Sequence, residues 1–130
     1  MSNSDYRILV VEDDEMLRDM HEMLFRDEGY QVDSAVDGNQ ALDLLHTHSY
    51  DLLATDLFMP EMNGFELILK CKAHFPKIKI MLVSGGGKEL KAVHGENVFS
   101  FNNETVEIDV FLKKPFQLSE MLEYTEKLLK

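Results

Sequence analysis

The stretch Ile8-Leu-Val-Val-Glu-Asp-Asp14 decides how the rest of the chain is read. Its four apolar residues are too few for a buried helix and too uniformly apolar for a strand with one wet face. They read as a strand buried on both sides, as in a parallel sheet. The acidic residues that follow place charge at the strand's end. Asp14 stands where a helix needs an N-cap.

Working outward, the same unit recurs. Glu15 to Glu28 sets Leu17, Met20 and Leu24 at helical spacing, and Gly29 stops the helix. Met16, Met20 and Met23 are expected to pack in the core and at its boundary. Tyr30 to Val36 reads as a second strand. From Gly38 a helix carries Ala41, Leu42 and Leu45 on one face. Tyr50 to Thr55 is a third strand, and Pro60 and Gly64 punctuate the loop after it. The next helix carries Leu67, Ile68 and Cys71, with Pro76 beyond its end. Ile80 to Val83 is a fourth strand, closed by Gly85-Gly-Gly87, and Val110 to Leu112 a fifth, followed by Pro115. Ser119 is expected to cap a last helix bearing Met121, Leu122, Thr125 and Leu128. Alternating strands and helices imply a doubly wound α/β domain, a parallel sheet with helices on both faces.

Composition agrees with one ordinary domain over residues 1–130. The chain is 45% apolar and 28% charged, and domains run to roughly 100–200 residues. The net charge of −11 argues against a general nucleic-acid surface and against anionic membranes. Cys71, the lone cysteine, has no disulfide partner. The polar N-terminus lacks a signal-peptide core, and no apolar run reaches the roughly 20 residues of a membrane span. A cytoplasmic protein is expected.

In open sheets of this kind, chemistry gathers beyond the carboxyl ends of the strands. There the sequence sets Glu12, Asp13 and Asp14 after strand one and Asp56 after strand three. Ser84 follows strand four, and Lys113-Lys114-Pro115 follows strand five. Clustered carboxylates repel one another unless they are neutralised. A hard cation such as Mg²⁺, with oxygen ligands, removes that cost. A carboxylate is also a competent nucleophile toward phosphorus. Asp56, alone at its strand end, suits that role, and Glu12 and Asp13 suit the metal. Lys114, Ser84 and Mg²⁺ would each meet one phosphoryl oxygen. Gly85-Gly-Gly-Lys88 is no Walker loop, since Glu89 follows the lysine and Leu stands at position 82. The triplet is expected to let the backbone approach a phosphoryl group.

Four segments, in order, carry a resemblance over nearly the whole chain: Ile8 to Asp14, Asp56-Leu-Phe-Met-Pro-Glu-Met-Asn-Gly64, Leu82-Val-Ser-Gly85 and Phe111-Leu-Lys-Lys-Pro-Phe116. The chain resembles the response-regulator receiver domains of two-component signalling. The resemblance implies a five-stranded parallel sheet of order 2-1-3-4-5 and Mg²⁺-dependent phosphorylation of Asp56. It makes Asp13 a direct metal ligand, Glu12 a ligand through water, and the Phe58 carbonyl a further ligand. Lys114, Ser84 and Phe111 match the lysine, the switch hydroxyl and the switch aromatic, with Phe111 expected to turn inward on phosphorylation. The implied donor is a histidine kinase or a histidine phosphotransfer protein. The implied output is an unnamed downstream protein, read by a monomer or a weak phosphorylation-dependent dimer. The implied chemistry is self-catalysed phosphorylation and dephosphorylation, not turnover of an external substrate.

Two departures stand out. The 30 positions from Ser84 to Lys114 exceed the family's usual interval. Lys88 to His94 reads as a short helix four, Asn102-Asn103 break any helical pattern, and Thr105 to Leu112 alternates like one long strand. Phe99 and Phe101 are expected in the core of this insert. Phe58 is bulkier than the polar residue expected there, and its ring is expected to shield an acyl phosphate from water. Two rival classes remain. An aspartyl-phosphate hydrolase would want an acid two residues after Asp56, where Phe58 stands. A pseudo-receiver that is never phosphorylated would not need the intact Glu12, Asp13, Asp56 and Lys114.

Overall fold

Strand β1 (Arg7–Val11) lies second from one edge, beside the central β3, in a five-stranded sheet of order β2-β1-β3-β4-β8. The other strands are β2 (Gln31–Ala35), β3 (Leu52–Asp56), β4 (Lys79–Ser84) and β8 (Val110–Lys113), and every pairing is parallel. This is the flavodoxin-like order expected, the fifth position being filled by the eighth strand among the described residues. The structure, a computed structural model, describes residues 2–85, 90–92 (main chain alone), 97–101 and 104–130.

Alternation along each strand divides the core into two layers. Leu9, Val11, Leu53, Ile80, Leu82 and Phe111 point to one side, where helices α2 (Gly38–Thr47) and α3 (Gly64–His74) pack. Ile8, Val10, Leu52, Ala54, Met81, Val83, Val110 and Leu112 point to the other, beneath α1 (Glu15–Asp27) and α4 (Leu118–Leu129). Both faces are therefore covered, which is why these strands read as unbroken apolar runs.

Caps fix the helix starts. Asp14 accepts from the Leu17 amide at 3.0 Å, Asp37 from Gln40 at 2.8 Å and Asn63 from Glu66 at 2.9 Å. Gly29, at φ 95°, turns the chain out of α1 in a conformation few other residues adopt. The cap expected at Ser119 falls on Gln117 instead. Helix α4 begins at Leu118, and the Gln117 amide donates to Glu120 Oε1 at 3.2 Å.

The α1 methionines also differ from expectation. The buried residues of α1 are His21 and Phe25, one turn apart. Met16, Met20 and Met23 fall on another face and are 73%, 42% and 63% exposed. An apolar set at i, i+4 and i+7 shows that a helix has an apolar stripe, but it does not say which stripe meets the sheet.

The largest departure lies between β4 and β8. Leu90–Ala92, expected within a helix, is strand β5. It pairs antiparallel with β6 (Val98–Phe101), which pairs antiparallel with β7 (Glu104–Glu107). The remainder of the Lys88 to His94 stretch, with Gly86, Gly87 and Asn102-Asn103, lies outside the described residues. The expected long strand from Thr105 to Leu112 is in fact two, β7 and β8, in different sheets. At the break the Ile108 amide donates to the Asn97 carbonyl at 2.7 Å, and the Asp109 amide to that of Ile80 at 2.9 Å. A period of two looks the same in one strand or in two joined by a short bend. Phe99 and Phe101 are core, as expected, at 1% and 8% exposure. With Val106 and Ile108 they join the α2–α3 layer.

Candidate functional site

Strands β1 and β3 are neighbours, so their carboxyl ends bring Glu12, Asp13 and Asp56 together across the sheet. One carboxylate oxygen from each lies within 4.8 Å of the others. Glu12 is buried, Asp56 half-buried and Asp13 exposed. Lys114, just past β8, reaches in from the far side of β4. Its Nζ donates to Glu12 Oε1 at 3.0 Å and to Asp56 Oδ2 at 3.3 Å. The Lys114–Pro115 peptide bond is cis.

The charges here act on one another. Partial burial, the hydrogen bond to Glu12 and the charge of Glu12 together lift the Asp13 carboxyl above the usual aspartate range. Burial alone would lower the Lys114 ammonium, but Asp56 and Glu12 outweigh it and raise the pKa. A lysine so placed stays charged at neutral pH. One ammonium among three carboxylates leaves a net negative rim, whose donor set of hard oxygens fits a divalent cation such as Mg²⁺.

The main chain is held as tightly as the charges. The Leu57 amide donates to Asp56 Oδ1 at 2.7 Å, and the Gly64 amide to the Leu57 carbonyl at 2.7 Å. A Cβ on Gly64 would fall 2.1 Å from the Asp56 carbonyl oxygen, so only glycine lets α3 begin against this strand end. Ser84 ends β4, fully buried, and its carbonyl accepts from the Lys114 amide at 2.8 Å. Phe58, two residues past Asp56, is 41% exposed, with its ring edge-on to Phe101 at 6.2 Å.

Phe111 lies opposite Leu82 in the β4–β8 register and is 1% exposed. It is thus already enclosed in this structure, in the same layer as Phe99 and Phe101. Arg18 is the side chain at the site that the sequence reading passes over. Its Nη1 donates to the Glu12 carbonyl at 3.0 Å and lies 3.5 Å from that of Asp13. A lone arginine on an amphipathic helix reads as solvated surface. Only its place one turn inside a helix that starts at the acidic loop hinted otherwise.

A doubly wound sheet with clustered carboxylates and an ammonium at its carboxyl-end rim defines a flavodoxin-like domain suited to a hard cation. The chain belongs to the response regulator receiver domain family, whose model matches residues 8–126. A probable transcriptional regulatory protein of Picosynechococcus is 33% identical over 131 residues, covering 95% of this chain and 49% of that protein. Among solved structures, the response regulator TrrA of Thermotoga maritima, in complex with Mg(2+)-BeF, is 27% identical with a TM-score of 0.78. The match covers 95% of this chain and 99% of that one. A CheY-like receiver domain protein of Methanospirillum hungatei is 28% identical with a TM-score of 0.78, covering 95% of this chain and 93% of that one. The chain spans about half the length of the curated relatives it matches, at 53%, 49% and 56% of the first three. It is a response-regulator receiver domain of two-component signalling. No helix among the described residues is long and apolar enough to cross a membrane.

Proposed function

We propose that the chain takes a phosphoryl group from phosphohistidine onto Asp56. An Asp56 carboxylate oxygen attacks phosphorus and forms the O–P bond of an acyl phosphate. The N–P bond to the donor imidazole breaks, and its electron pair stays on the nitrogen, which takes up a proton. The donor is a histidine kinase or a histidine phosphotransfer protein, and residues 1–130 act as a single receiver.

One observation carries this reading. Lys114 spans 102 positions of sequence to set its ammonium between Glu12 and Asp56, at the point where three carboxylates converge. Asp13 and Asp56 would hold Mg²⁺ directly, Glu12 through water, and the Phe58 carbonyl would complete the protein's share. The ion would supply charge cancellation on the transferring oxygens. Lys114 exchanges its carboxylate contact for a phosphoryl oxygen, and the Ser84 hydroxyl takes another. Phe111, already enclosed, lies opposite Leu82 two residues inside the Ser84–Lys113 end of the β4–β8 ladder, and its packing answers to that shift of Ser84. The acyl phosphate is then hydrolysed at the same site, so the chain acts as a switch and not on an external substrate. Absence of an acid at position 58 supports this over a hydrolase.

Incubation with acetyl phosphate tests the reading by intact mass. The expected result is one phosphoryl group gained with Mg²⁺, none with chelator, and none in Asp56→Asn. A phosphoryl group retained in Asp56→Asn would overturn the assignment of the acceptor.

A further inference from the structure

The inserted sheet touches the site through a short row of rings. In β6, Phe99 and Phe101 alternate with Val98 and Ser100 and point into the core. Phe65 of α3 meets Phe99 at 5.9 Å and Phe101 at 5.6 Å between ring centroids. Phe101 in turn meets Phe58 at 6.2 Å, with the planes at 68°. Edge-on contact at this spacing is the favoured aromatic geometry. Phe58 is joined to Asp56 through Leu57 alone, and Leu57 is fully buried and tied at both its amide and its carbonyl. Beyond Phe58, Met59 and Met62 pack into the α2–α3 layer, and Glu61 turns the loop at a positive φ of 65°. The ring of Phe58 therefore ties this loop to the insert just where it leaves the strand end.

We propose that Phe101 is a positioning residue for the metal site: by holding the Phe58 ring, the inserted sheet fixes the main chain from which the Phe58 carbonyl is presented. This rests on the reading of Asp13, Asp56 and the Phe58 carbonyl as metal ligands. A carbonyl and a ring on one residue share one Cα, so restricting the ring restricts the peptide plane. A loop carbonyl that is free must lose conformational freedom when it becomes a ligand. One already held by its own side chain loses less, and the site binds more tightly. Coupling of this kind is reciprocal: whatever factor the insert adds to metal affinity, metal adds to the stability of the insert. The insert occupies the position where the resemblance predicts helix four, so the occupancy of the acidic site would be felt there.

The test uses the whole 130-residue chain and Mg²⁺ alone. Isothermal titration calorimetry gives Mg²⁺ affinity, and hydrogen–deuterium exchange follows peptides over 98–101 and 104–107. Expected are slower exchange in both peptides with Mg²⁺, and affinity reduced about five-fold in Phe58→Ala and in Phe101→Leu. The double variant should bind no more weakly than either single one, because both remove the same contact. Phe58 is exposed enough that its alanine variant keeps the fold, so the test survives if Phe101→Leu disturbs β6. If the wild type binds Mg²⁺ but exchange over 98–107 is unchanged, or Phe58→Ala binds equally well, the coupling is overturned while the metal site stands. Additive losses in the double variant overturn it too. If the wild type binds Mg²⁺ no better than Asp13→Asn, the metal site and the coupling fall together.

Discussion

His21 is buried on the inner face of α1, its ring 6.2 Å from that of Phe116. Burial first, and the charge of Lys114 second, push its pKa from 6.5 down to about 4. The folded chain thus holds His21 neutral over a range in which the unfolded chain binds a proton. Stability from this group is complete above about pH 6.5 and is lost as pH falls toward 4. A shift of this size corresponds to at most about 3 kcal/mol. His21→Leu should remove that dependence. Denaturant unfolding at pH 7 and pH 4.5 should show a smaller fall in stability for the variant than for the wild type. Equal falls would mean that carboxylates alone govern the acid limb. Cys71 shows the other outcome of burial: its thiol is pushed up to about 11 and is therefore unreactive at neutral pH.

At the scale of elements, α1 shows how one helix can carry two apolar stripes with different fates. Phe25 is fully buried under the sheet, whereas Met16, Met20 and Met23 stand out beside Asp14, Glu15 and Asp19. Phe25→Ala should cost about 3–5 kcal/mol. Replacing all three methionines with glutamine should change stability by less than about 0.5 kcal/mol per site. Chemical denaturation of the two proteins compares them directly, and a large loss in the methionine variant would put that stripe back in the core. The parallel strands and the Asp14 cap of α1 were legible because each depends on residues within a few positions of itself. The antiparallel insert was not, since it is decided by which partner a strand finds. Lys72 of α3 donating to the Glu107 carbonyl, and Ser100 bonded to Thr105 at 2.8 Å, are contacts with no local signature.

For the whole molecule, the site was legible for a different reason. Carboxylates after alternate strands and a lysine after the last can meet only if the strand order reverses beside β1, and the parallel order forces that meeting. What spacing could not supply was the tie from Phe58 to the insert, nor Arg18 clasping the acidic loop. The same convergence sets a cost that the fold must carry. With a net charge of −11 and one oxygen from each of three carboxylates within 4.8 Å of the others, repulsion at the strand ends works against folding, and a bound cation would offset it. A ligand bound only by the folded state at 100 times its Kd adds about 2.7 kcal/mol. For a domain of this size that is a rise of roughly 10 °C in Tm. Thermal melts with chelator and with saturating Mg²⁺ should therefore differ by about that amount, and NaCl at equal ionic strength should give much less. Asp13→Asn should abolish the Mg²⁺ increment, yet melt no lower than the wild type in chelator, because the substitution removes one of the repelling charges. An equal increment in Asp13→Asn would show that Mg²⁺ acts by screening the whole acidic surface and not by ligation at the strand ends.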